Sequence, residues 1–167
     1  MPQMSARFLA NDSKFEPQRR GHFEVQIEGF PGGDMLTLIT QSIFVPGVEN
    51  EVVELQYMNE KVRYAGNVTF NGGEITVRDF VDKDTYKMIM EWRKQVYDPD
   101  TGEIHWTGSY KKQGYVILTD PEGRVERKWR LINVWPSSVA TGSLEHGQSD
   151  IQTIAVTLTF DKAIYEG

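Results

Sequence analysis

Hydrophobic and polar residues alternate with a period of two along much of the chain. From residue 22 to 29, Phe23, Val25 and Ile27 fall on one face and Glu24, Gln26 and Glu28 on the other, which is the pattern of a half-buried strand. Gly- and Pro-rich residues 29–34 then turn the chain. Residues 35–45, dominated by Thr and Ile without strict alternation, predict a strand contacted on both faces and ended by Pro46-Gly47. Residues 51–58 are β-like again, with Val53, Leu55 and Tyr57 opposed to Val52, Glu54 and Gln56. Short β-type runs follow at 67–70 and 74–80, and Asn71-Gly72-Gly73 is expected to make the turn between them.

The period then changes. Asp82 or Asp84 can cap a helix in which Tyr86, Ile89, Met90, Trp92 and Val96 recur at helical spacing. Tyr97-Asp98-Pro99 stops it, because the residue before a proline disfavours the α region. Residues 98–108 read as a loop leading to a hairpin, with arms at 114–120 and 124–135 closed by Asp120-Pro121-Glu122-Gly123. The second arm carries Val125, Trp129, Leu131 and Trp135 on one side. A polar loop is expected from 136 to 149. The clearest strand follows, with Ile154, Val156, Leu158 and Phe160 on one face and Thr153, Ala155, Thr157 and Thr159 on the other.

About seven strands and one helix result, with no repeat and no linker between two cores. The expected fold is mainly β, an antiparallel β-sandwich or barrel with one flanking helix. One domain would span residues 22–167, behind a polar N-terminal arm, residues 1–21, whose only apolar anchors are Phe8, Leu9 and Phe15. At 167 residues such a domain can bury a core without staples.

Composition narrows the functions. There is no cysteine, so disulfides, thiolate metal sites and a Cys nucleophile are excluded. A net charge of -6 argues against tight neutralisation of phosphates. No apolar run approaches the ~20 residues of a membrane span, and the first residues lack the apolar stretch of a signal peptide, so a soluble protein made in the cytoplasm is expected.

Candidate chemistry is sparse. Asp100-Thr101-Gly102 matches the triplet of aspartic proteases, in which two carboxylates share a proton. It lacks a second copy and apolar flanks, and turn chemistry explains it better. His22, His105 and His146 show no ligand spacing, and Asp79, Asp82 and Asp84 lack the glycine and terminal Glu of a calcium loop, so neither a metal nor a cofactor is expected. Phosphate-cradling and Gly-x-Ser-x-Gly signatures are absent. Lys111-Lys112 beside Trp106, Tyr110 and Tyr115 could form a base-stacking platform, but two lysines more often mark a solvated strand end. Asn67-Val68-Thr69 and Asn11-Asp12-Ser13 match the glycosylation pattern, which carries little weight without a secretory signal.

The order of several short motifs says more than any one of them. Residues 23–29, Phe-Glu-Val-Gln-Ile-Glu-Gly, are followed by Val45-Pro46-Gly47-Val48 and by residues 61–70, Lys-Val-Arg-Tyr-Ala-Gly-Asn-Val-Thr-Phe. Then come the helix with Trp92, the hairpin arm ending Trp129-Arg130-Leu131-Ile132-Asn133-Val134-Trp135-Pro136, and Gly142-Ser143-Leu144 before Ser149-Asp150-Ile151. Over residues 22–161 this resembles the tail tube family of contractile phage tails and related injection devices. Residues 98–112 are longer than that pattern and read as an insertion.

The resemblance implies a structural protein with no catalytic residues, forming hexameric rings that stack into a tube. Its partners would be further copies of itself, a tail sheath protein, a baseplate and a tail terminator, with genomic DNA passing through the lumen without specific binding. The location would be the virion tail, assembled in the host bacterial cytoplasm. Residues 48–61 would correspond to the family's hairpin that reaches the next ring, making Glu49, Asn50, Glu51 and Asn59 candidate inter-ring contacts. Glu54 and Glu74 are candidate lumen-facing carboxylates, since an acidic wall repels phosphates. A monomeric β-sandwich binding module, a tube ring of a DNA-free contractile injection system and a dimeric hydrolase built on Asp100 are the rival readings.

Overall fold

In the computed structural model, residues 17–30, 35–82, 84–147 and 149–167 are described. The apolar anchors Phe8, Leu9 and Phe15, the Asn11 triplet and most of the 29–34 turn lie outside them. Eleven strands are β1 (Phe23–Ile27), β2 (Thr40–Ser42), β3 (Gly47–Tyr57), β4 (Glu60–Asn71), β5 (Gly73–Arg78), β6 (Tyr97–Asp98), β7 (Glu103–Ile104), β8 (Lys112–Thr119), β9 (Val125–Thr141), β10 (Thr153–Thr159) and β11 (Lys162–Tyr165). Among the described residues three helical segments accompany them: α1 (Met35–Ile39), α2 (Thr85–Val96) and α3 (Thr107–Tyr110).

Seven strands form one antiparallel sheet in the order β1-β8-β9-β10-β5-β2, with β11 also on β9. The sheet curls into a half-barrel. Its two halves share β9, which pairs with β8 and β11 through its first part and with β10 through its second. At the change of partner Asn133 takes a left-handed φ of 58°. Asp161, at the corner between β10 and β11, donates its backbone N–H to Ile132 and accepts from Asn133 Nδ2 at 2.7 Å and Lys111 Nζ at 3.1 Å. The strand bends where a side-chain node can hold the bend.

The core lies on one face of this sheet. Val25, Ile75, Val77, Val116, Leu131, Val134, Ile154, Val156 and Leu158 are all buried there. Helix α2 covers it with Thr85, Ile89, Trp92 and Val96. Trp92 meets Phe30 edge-to-face at 5.9 Å and donates its indole N–H to the Tyr110 carbonyl, so a large aromatic is buried without leaving its polar atom unpaired. Asp84 caps α2 by accepting from Lys87 N, and Tyr97 ends it. Tyr86 and Met90, expected in the apolar stripe, lie on its half-exposed flank instead.

Four further sequence expectations are corrected. Residues 35–39 form α1, not a strand, because Leu36 and Ile39 bury three residues apart and Thr40 Oγ1 bonds back to the Leu36 carbonyl at 2.6 Å. Asn71-Gly72-Gly73 does not close a hairpin, since β4 pairs only with β3 while β5 pairs with β10 and β2. It is a junction between sheets, tight enough that a Cβ on Gly72 would lie 2.5 Å from the Leu158 carbonyl oxygen. Residues 136–141 continue β9 instead of forming a loop. Pro136 opposes Leu158 beside a bulge at Thr157/Leu158, which accommodates the missing N–H. Finally, residues 98–108 contain the β6-β7 pair and the start of α3.

Both ends of the sheet are treated differently. On β1, the Thr37 hydroxyl accepts from Val25 N–H at 3.1 Å and donates to Val25 C=O at 2.8 Å. The outward backbone groups at the middle of that end strand are thereby satisfied by a side chain. Nothing comparable is seen on β2, among the described residues.

Candidate assembly surfaces

The β3-β4 hairpin stands apart from the sheet. Among the described residues it is paired with no other strand, and no residue of β3 is buried. Its register opposes Val53 to Tyr64 and Leu55 to Val62, so these four share one face with Tyr57. On the other face Glu54 pairs with Arg63 and Lys61, at 3.0 and 3.6 Å, and Gln56 opposes Lys61. Nearer the base the polarity reverses. Between Asn50 and Val52 the register shifts by an extra residue on β4, at Gly66, whose hydrogen-only side chain sits where a Cβ would come within 3.0 Å of the Glu51 carbonyl. Below that bulge Val48, Val68 and Phe70 lie on the face opposite the distal apolar row, and Phe70 packs against the core. The hairpin therefore roots one face in its own domain and presents the other away from it.

The candidate contact residues fall on this element. Glu49, Asn50 and Glu51 occupy the basal part of β3, with Glu49 opposite Thr69 and Asn50 opposite Val68. Asn59 is in the two-residue tip with Met58, and Tyr57 opposes Glu60. The structure does not bring the three basal residues and Asn59 together. The distal apolar row was missed as a surface, although the alternation Val62, Tyr64 against Lys61, Arg63 is present in the sequence.

Glu74 and Glu54 are likewise separated. Glu74 lies on β5 opposite Thr157, on the sheet face away from α2, among Thr76, Arg78, Thr153 and Thr159. That face is polar. Glu54 is on the hairpin, its charge offset by two cations.

The catalytic-looking triplet is a turn. Asp98 accepts from Asp100 N through its side chain and from Gly102 N through its carbonyl, and Gly102 has φ +74°. Asp100 is exposed and ion-paired with Lys94 at 3.1 Å; its hydrogen bond and the charge of Asp98 raise the lysine above its ordinary range. The groove beside it, along α2, is lined by Lys87, Met90, Glu91, Arg93, Lys94, Tyr97 and Pro99, with one carboxylate and no histidine. Lys111 is bound to Asp161 rather than displayed for a base. Among the described residues no three His, Asp or Glu side chains gather as metal ligands, and no helix is long and apolar enough to cross a membrane.

The model of the T4-like virus tail tube protein gp19 family matches residues 19–163. The chain belongs to that family. It is similar to the tail tube protein gp19 of Enterobacteria phage T4, 26% identical over 145 residues that cover 83% of this chain and 86% of the relative. The phage T6 protein matches to the same extent. Among solved structures, the fold is similar to the sheath/tube terminator of an extracellular contractile injection system, PVC, in its extended state, with a TM-score of 0.68 at 18% identity, covering 91% of this chain and 98% of that one. It is also similar to the sheath-tube complex of that system, with a TM-score of 0.62 at 16% identity over 98% and 99% of the two chains. This tail tube subunit is thus a structural, mainly β protein of a contractile tail.

Proposed function

We propose that copies of this tail tube subunit close into hexameric rings, and that the rings stack into the hollow inner tube through which DNA is delivered. The observation that carries this is the hairpin, whose distal apolar face is exposed and without a partner among the described residues. Two-stranded hairpins are marginal alone in water, so an element this long and this exposed is built to be covered. Head-to-tail contacts of one surface with a different surface generate rings where they close and filaments where they do not.

In this reading residues 22–167 form the ring body and 1–21 an arm, and α2 faces outward, toward the sheath. The polar face of β5 and β10 faces the lumen. Glu74 then lines the wall, where a carboxylate repels passing phosphates, and Glu54 contributes less because Lys61 and Arg63 offset it. Glu49, Asn50, Glu51 and Asn59 lie along the inter-ring contact. A baseplate initiates the tube, a terminator ends it, and assembly takes place in the bacterial cytoplasm before the particle leaves as a virion. Negative-stain electron microscopy beside sedimentation tests this. Hollow tubes or stacked rings are expected, whereas a strictly monomeric or dimeric species, even with a baseplate added, would sink it.

A further inference from the structure

The curled sheet leaves a seam between its two end strands, and a groove of about 640 Å³ runs in it. Phe23 of β1, Val116 and Leu118 of β8, and Ile43 and Val45 just beyond β2 line this groove. Val116 belongs to the core, and Phe23 and Ile43 pack against it, so the groove opens onto apolar side chains of the interior. Val45 is 55% exposed. Gln41 and Ser42 of the end strand β2 line the same groove, which therefore follows a sheet edge that is unpaired among the described residues. An apolar cleft and an open strand edge are both features that natural sheets cover.

The place where the chain is held points to the cover. Gln18 donates its side-chain amide to the Thr119 carbonyl at 2.9 Å, and Thr119 N–H donates to the His22 carbonyl at 3.1 Å, so residues 18–22 are strapped to the end of β8. Gln18, Arg19 and Arg20 line the groove themselves. The residues that precede Gln18 therefore start at its rim. Phe15 lies three residues from Gln18, within about 11 Å even for fully extended backbone. Phe8 and Leu9 have a reach of roughly 30 Å or more and are not confined in this way. A phenylalanine tethered so closely meets the groove of its own subunit at an effective concentration that the same segment of a free neighbour does not match.

We propose that the segment before Pro17 docks in this groove of its own subunit, with Phe15 as the anchor packed among Phe23, Ile43, Val45 and Leu118. The arm then plugs the seam of the half-barrel and covers the β2 edge. Seating the ring takes its apolar surface, and that of the groove, out of water. No ring or tube is needed for the contact, so it belongs to the free subunit and stands apart from the tube reading.

The absence of cysteine makes a clean test available. The full chain carrying Lys14→Cys and Val45→Cys, oxidised at low protein concentration, should close a disulfide within one chain, read by mass spectrometry as a linked peptide pair from a monomer. Adding Phe15→Asp should slow that closure about tenfold, because the tether remains while the anchor is lost. No link, a link equally fast without the anchor, or links formed between chains alone would overturn the assignment, the last by giving the groove to a neighbour's arm. Independently, Phe15→Asp in the parent chain should raise the unfolded fraction at a fixed urea concentration about tenfold, whereas Phe8→Asp should change it by less than about twofold. A Phe15→Asp chain as stable as the parent, or equal losses from the two substitutions, would also overturn it.

Discussion

At Asp161 one carboxylate holds the bend of the longest strand. Hydrogen bonds from Asn133 and Lys111 keep its pKa below the ordinary carboxylate value of 3.8. A lowered folded-state pKa gives stability that is complete above the ordinary value and lost as pH falls through the lowered one. The parent should therefore lose this contribution below about pH 4, and Asp161→Asn should flatten that part of its denaturation profile. At neutral pH, Asp161→Ala should cost about 1 kcal/mol in urea titrations, a modest figure because the group is half exposed. Gly72 presents the opposite case, a side chain that must be missing. Gly72→Ala would drive a methyl against the Leu158 carbonyl and should destabilise by roughly 1–3 kcal/mol, read as a lowered midpoint.

Among the elements, α2 owes its place to Trp92 more than to its amphipathic pattern. Trp92→Ala should cost about 3–5 kcal/mol by the same titration. Trp92→Phe keeps much of the volume but leaves the Tyr110 carbonyl without its donor, and should lose about 1–3 kcal/mol. The helix, β1, the β8-β9 hairpin and β10 were all legible in the sequence, because each has one buried face at a regular period. Segment α1 was not legible, since five residues, Met-Leu-Thr-Leu-Ile, cover too few turns to show a period and their β-branched members favour a strand. The second half of β9 was hidden by Pro136 and two serines, whose loop preference is overridden by pairing with β10. The hairpin entered only through the family resemblance, as residues 48–61, whereas its second strand runs from Glu60 to Asn71, and its working face was not legible. Alternation shows that Val53, Leu55 and Tyr57 share a side; it does not say whether that side meets the chain's own core or another molecule. Leu55→Asp should accordingly leave the melting midpoint within about 0.5 kcal/mol of the parent while tubes fail to form.

For the whole molecule, charge and shape are divided between faces. A net charge of -6 would be a liability for a protein that holds DNA, but in the conduit proposed above it would keep the cargo moving. Glu74→Lys should assemble normally, and the resulting tubes should retain short DNA at low salt and release it as salt rises, measured by co-sedimentation. Assembly into a closed ring and an open filament also demands a fixed number of adhesive edges, as bonds do around an atom. The Thr37 hydroxyl, by occupying both outward backbone groups of Val25, lowers the subunit's valency by one. Its loss in Thr37→Val would free those groups to pair with another strand, so branching and irregular precipitates should replace straight growth.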